Sequence, residues 1–126
     1  MFEPRIRALV SSCGFDSFLD YQGGDITGWT ATRYMPRLLE WPLAEIPFDF
    51  HELIGALAPA SVFISAPLRD ANFRWDSVDR VVTAARAVFR LYGGEQNLIV
   101  EHPDAEHSFL PDMREKAYQF LDSRLK

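Results

Sequence analysis

Three short apolar runs alternate with three amphipathic stretches along this chain. Arg5–Ser12 (RIRALVSS), stopped by Cys13-Gly14, reads as a strand buried on both faces. Ser61–Ala66 (SVFISA), ended by Pro67, and Asn97–Glu101 (NLIVE) read as two more. Asp49–Leu57 predicts a helix. Asp49 suits the N-cap, Glu52 stands at the capping-box position, and Phe48 and Leu53 occupy the staple positions. Leu53, Ile54 and Leu57 make its apolar stripe, and Pro59 marks its end. Ser77–Tyr92 carries the clearest helical period. Val78, Val81, Val82, Ala85, Phe89 and Tyr92 share one face, and Asp79, Thr83, Arg86 and Arg90 take the other. Gly93-Gly94 closes it with a left-handed cap. Pro111–Leu125 is the last helix, with Pro111 in its first turn and Met113, Ala117, Phe120, Leu121 and Leu125 inward. Residues 14–47, rich in Gly and Pro, predict a long irregular excursion with one short helix near Arg33–Leu39.

Strand, excursion, helix, strand, helix, strand, helix is an α/β order. It calls for a short parallel sheet of three strands, right-handed crossovers and flanking helices. Strands this uniformly apolar need cover on both faces and partners at both sides. Three of them supply too little, so the chain is expected to be part of a larger domain. The length, 126 residues, is one domain's worth, and the 48% hydrophobic content excludes disorder. The net charge of −5 argues against nucleic acid as the main partner. No apolar run reaches the roughly 20 residues of a membrane span. Met1-Phe2-Glu3-Pro4-Arg5 lack the apolar stretch of a secretory signal, which leaves the compartment open if other polypeptide precedes them. Cys13 is the one cysteine, so no internal disulfide is expected and a Cys-based metal site is set aside.

In open parallel sheets chemistry gathers at the carboxyl ends of the strands. Asp70 follows the second run and His107 the third, with one crossover helix between them. An Asp–His pair can act in acid–base chemistry. The carboxylate on Nδ1 fixes the imidazole tautomer and stabilises the imidazolium that forms. Asp104, in a Pro-Asp turn just before His107, is the alternative acid and otherwise a turn residue.

RIRALVSSCGF (5–15), FDFHELIGALAP (48–59), VFISAPLRDANF (62–73), EHPDAEHSF (101–109) and the terminal AYQFLDSRL (117–125) stand in an order that resembles the C-terminal part of an α/β-hydrolase. The resemblance is to the esterase branch of dienelactone hydrolases, acetyl xylan esterases and prolyl-oligopeptidase-like domains. It implies that Asp70 and His107 hold the positions of the triad acid and histidine. It also implies that 5–12 is a sixth strand, downstream of a nucleophile elbow that this chain lacks. No G-x-S-x-G is present, and Cys13, the residue type dienelactone hydrolases use, has no elbow around it. The oxyanion loop belongs to the missing part as well. The chain is therefore expected to be the C-terminal portion, residues 1–126, of a serine-hydrolase-type carboxylic ester hydrolase, inactive alone and without cofactor or metal. The alternative is a non-catalytic α/β binding or assembly module.

Blander readings stand beside these. His102, Asp104, Glu106 and His107 could be metal ligands, but their spacing fits no compact zinc pattern. His51 reads as solvated, and Arg80, Arg86 and Arg90 as a wet helix face. Phe18, Tyr21, Trp29 and Tyr34 either wall a pocket or pack the excursion onto the sheet. The bare edge and face of 5–12 predict a homo-oligomer, or docking of the missing N-terminal half.

Overall fold

The computed structural model describes residues 3–126. Met1 and Phe2, the start of the stretch read as lacking a signal, lie outside the described residues. Strands β1 (Ala8–Ser12), β2 (Ser61–Ser65) and β3 (Leu98–Glu101) form one parallel sheet in the order β1-β2-β3. Leu9 lies beside Val62, and Val62 beside Leu98. Helix α1 (Phe50–Gly55) lies in the first crossover, α2 (Trp75–Leu91) in the second, and α3 (Pro111–Leu125) follows β3. The chain is thus an α/β unit with a short parallel sheet flanked by helices.

The period-two alternation of strand side chains makes two cores. Leu9, Val62, Ile64, Leu98 and Val100 meet Ile54 of α1 and Val81, Val82, Ala85 and Phe89 of α2. On the opposite face Ala8, Val10, Phe63 and Ile99 meet Ala117 and Phe120 of α3. Helices α1 and α2 touch closely at Gly55, where an added Cβ would stand 3.2 Å from Val88 Cγ2. Asp49 caps α1, and the reciprocal bond from the Asp49 N–H to Glu52 Oε2 is 2.7 Å.

Burial at both faces holds for β2, whose five residues are all buried, but not for β1, whose five are half-buried. β1 lies at the sheet edge and pairs with β2 alone among the described residues. Helix α2 starts at Trp75, ahead of Ser77, because Arg74 takes the extended N-cap conformation. Tyr92 and Leu125 were placed inward by their helical period, yet both are exposed. Tyr92 is the C-cap of α2 and Leu125 the last residue of α3, so the period is read past the packed turns of each helix. The short helix near Arg33–Leu39 is a 3-10 turn at Pro36–Glu40, one of several in an excursion whose prolines and glycines prevent longer helix.

Phe89 is fully buried between α2 and the sheet. Phe89→Ala should cost roughly 3–5 kcal/mol. Exposed Thr83→Ala on the same helix should stay within about 0.5 kcal/mol of the parent. Urea unfolding followed by circular dichroism checks both.

Candidate active site

Lateral pairing continues beyond the strand ends. Ala66 N–H donates to Glu101 O at 2.9 Å, Leu68 N–H to Pro103 O at 3.0 Å, and Arg69 N–H to Ala105 O at 3.0 Å. The loops after β2 and β3 are therefore held side by side. The Asp70 N–H then turns back to Pro67 O at 3.3 Å. This frame brings Asp70 to His107. His107 Nδ1 lies 3.0 Å from each carboxylate oxygen and donates its proton there. The Asp70 side chain is 1% exposed and that of His107 51%. Asp70 Oδ1 also accepts the N–H groups of Asn72 at 2.8 Å and Phe73 at 3.1 Å. Taking a carboxylate out of water is costly unless its lone pairs are filled. Here two amides and an imidazole fill them.

Asp104 turns the other way. Its carboxylate takes the Arg69 guanidinium, which also donates to the Asp104 carbonyl at 3.3 Å. His102 presents Nδ1 to Ala66 O at 2.7 Å and Nε2 to Asp79 Oδ1 at 2.9 Å, and its ring meets Trp75 edge-on. It fastens the end of β3 to β2 and α2. His102, Asp104, Glu106 and His107 therefore do not converge. His51 is half-exposed beside Glu52. Arg80 binds Asp20 and Asp76, and Arg90 binds Glu95.

Cys13 ends β1. Its N–H donates to Ser65 O at 3.0 Å, and its left-handed φ of 49° turns the chain off the sheet. Its thiol lies 3.6 Å from Ser108 O and from Ser12 Oγ. Cys13 Sγ, an Asp70 oxygen and a His107 nitrogen all lie within 4.8 Å of one another. Burial pushes the Cys13 thiol pKa up. The Ser12 hydroxyl offsets part of this, and the negative charge of Asp70 adds to it. A thiol held protonated is a weak nucleophile.

Cys13 and His107 open onto a cavity of about 330 Å³ that Tyr21, Trp29, Tyr34 and Phe73 also line. Phe18 instead is buried under the excursion against Trp29, Phe48 and Phe50. Of the four aromatics singled out in the sequence, three face the cavity and one packs the excursion down. Gly28 permits this arrangement, since a Cβ there would collide with the Tyr21 hydroxyl.

The chain superposes on a carbohydrate esterase family 15 (CE15) glucuronoyl esterase from Caldicellulosiruptor kristjansonii with a TM-score of 0.83 at 20% identity, over 98% of this chain and 38% of that one. It also superposes on methylesterase BT1017 with a TM-score of 0.51 at 22% identity, over 60% of this chain and 17% of that one. No family model and no curated protein matches the sequence. The fold is therefore a partial α/β-hydrolase fold, and the chain spans 38% of the length of the glucuronoyl esterase.

Sequence reasoning missed Asp16. It is fully buried after β1, where Oδ2 accepts the Arg74 N–H at 3.1 Å and Oδ1 has no partner among the described residues. Nearby, the Ser17 N–H meets Ser77 Oγ, which donates to Asp20, and the Phe18 N–H meets the Asp49 carboxylate. Together these bonds tie the excursion to the starts of α1 and α2. An acidic residue beside an aromatic in a loop carries no signal of burial, so only the tertiary structure reveals it. Burial, with Asp20 and Asp49 adding to it and the Arg74 amide opposing it, raises the Asp16 pKa from 3.8 to about 6.

The raised value means that the folded chain keeps this proton after the unfolded chain has lost it. Stability from Asp16 is thus greatest below about pH 4, falls as pH rises toward about 6, and is flat above that. The full difference is on the order of 3 kcal/mol. Asp16→Asn keeps an acceptor for Arg74 and removes the charge. The variant should gain on the parent progressively between pH 4 and pH 6, as read by urea midpoints across that range. A gain independent of pH would refute the buried charge.

Proposed function

We propose that this chain is the acid-and-histidine portion of a serine-hydrolase-type carboxylic ester hydrolase. The observation that carries the reading is the buried Asp70 carboxylate at 3.0 Å from His107 Nδ1, beside an aromatic-lined cavity. The esterase fold of the structural neighbours supports it, and so does the chain's matching only part of their length. In this reading Asp70 holds the imidazole with Nε2 free. His107 takes the proton of a serine hydroxyl supplied by polypeptide outside these 126 residues. The serine oxygen attacks the ester carbonyl, and His107 returns the proton to the departing alcohol. The roles then repeat with water to release the acid. Ser108, the serine adjoining His107, directs its hydroxyl to Glu106 O at 3.4 Å.

The chain alone should not label with a fluorophosphonate probe. Mixed with a matching N-terminal half bearing a G-x-S-x-G serine, it should hydrolyse a chromogenic ester. Asp70→Asn should then lower kcat by up to about 10⁴-fold. Labelling of a serine in the isolated chain, or an unchanged rate in the variant, would refute the assignment. A non-catalytic assembly module would restore no activity in the mixture.

The same reading concerns the bare side of the sheet. Half-buried β1 offers an unpaired edge. In the parent that edge takes the preceding strand of the hydrolase sheet. In the isolated chain a second copy replaces it, and a closed dimer is the simplest symmetric solution. Sedimentation at micromolar concentration should show the dimer. A monomer there would refute this.

A further inference from the structure

We propose that Cys13, Asp70 and His107 form a binding site for a thiophilic divalent cation of the zinc type. Its ligands are Cys13 Sγ, an Asp70 carboxylate oxygen and His107 Nδ1. One ligand atom from each of these residues, which stand in three separate strand-end loops, lies within 4.8 Å of the other two, and Nδ1 is the His107 nitrogen that faces Asp70. A tetrahedral zinc ion with the usual Zn–S, Zn–N and Zn–O lengths has ligand–ligand edges of roughly 3.3–3.6 Å. The Asp70–His107 separation of 3.0 Å is already near that value. Closing the rest requires an inward movement of the thiol of about 1.5 Å at most.

The surroundings fit as well. Asp70 Oδ1 is anchored by two backbone N–H groups, which leaves Oδ2, bonded only to His107, as the oxygen to bind metal. Such outer bonds orient ligands and strengthen a metal site. The Ser12 hydroxyl stands beside the sulfur to do the same there. Three protein ligands leave a fourth position for water, and the cavity that Cys13 and His107 line has room for it. The thiol, although held protonated by burial and by Asp70, loses its proton on coordination. The balance is one cation in and one thiol proton out, while the imidazole stays neutral with its proton moved from Nδ1 to Nε2.

The cation takes the nitrogen that Asp70 otherwise holds. The metal-bound state and the Asp70–His107 hydrogen bond therefore exclude one another. Zinc at this site would switch off chemistry that depends on the dyad. Binding itself does not rest on the hydrolase reading, because it uses only groups in this chain.

The test is titration of the purified, reduced full chain with Co²⁺ and then Zn²⁺. Cys13 is the sole cysteine, so a near-ultraviolet thiolate-to-cobalt band reports on it alone. The expected result is one ion per chain, a band abolished in Cys13→Ser, and displacement of cobalt by zinc. His107→Gln and Asp70→Asn should each weaken binding by about tenfold or more, and His51→Gln should leave it unchanged. Metal-free melting of each variant separates lost ligation from lost folding. No thiolate band, or zinc affinity unaltered in Cys13→Ser, would overturn the proposal. The complementation assay run with chelator is independent of this outcome. Esterase activity without zinc binding would sink the metal site alone, and zinc binding without activity would sink the hydrolase reading alone.

Discussion

A carboxylate cannot sit dry at the end of a strand unless the backbone around it is already committed to holding it. At Asp70 that commitment is the pairing of two loops beyond the sheet. Leu68 and Arg69 donate to Pro103 and Ala105, so the segment after β2 is fixed against the segment after β3 before any side chain is considered. Two amides then meet Asp70 Oδ1, and the imidazole completes the shell. His102 braces the same frame from behind by linking Ala66 to Asp79. The dyad geometry thus belongs to the sheet as much as to the two residues, and a slip in strand register would part them.

The unequal burial of the strands follows from the same topology. β2 is buried because it has strands on both sides and helices on both faces, whereas β1 has one neighbouring strand among the described residues. An edge strand with apolar Leu9 and Val10 is a surface suited to receiving another strand. Superposition on just over a third of a glucuronoyl esterase fits this exposure.

Much of this was legible along the chain. The order of strands and helices dictates the parallel sheet. An acid and a histidine following consecutive parallel strands must end on the same side of it. Asp49 and Glu52 announce a cap because capping is local. What failed to read were properties set by distant neighbours. The half-burial of β1 comes from its place at the sheet edge, which nothing within the run announces. Tyr92 and Leu125 follow the helical period but stand at helix ends and are exposed. Asp16 looks like any loop acid, and only the docking of α2 makes it dry. Cys13, judged by its missing elbow, gave no hint that the turn after β1 would bring its sulfur to Asp70.

That last contact bears on the site as a whole. Asp70 faces two groups with opposite demands. Its carboxylate accepts the Nδ1 proton of the imidazole, and its negative charge opposes loss of a proton from the thiol. One carboxylate therefore orients the imidazole and keeps the thiol protonated, without any further residue to separate the two effects. The division persists only while the charge of Asp70 is directed at protons. A cation placed among the three groups would favour the thiolate and the carboxylate together and reverse the order of reactivity. The physical character of this corner is set by what sits between Asp70 and its two neighbours, a proton or a metal ion.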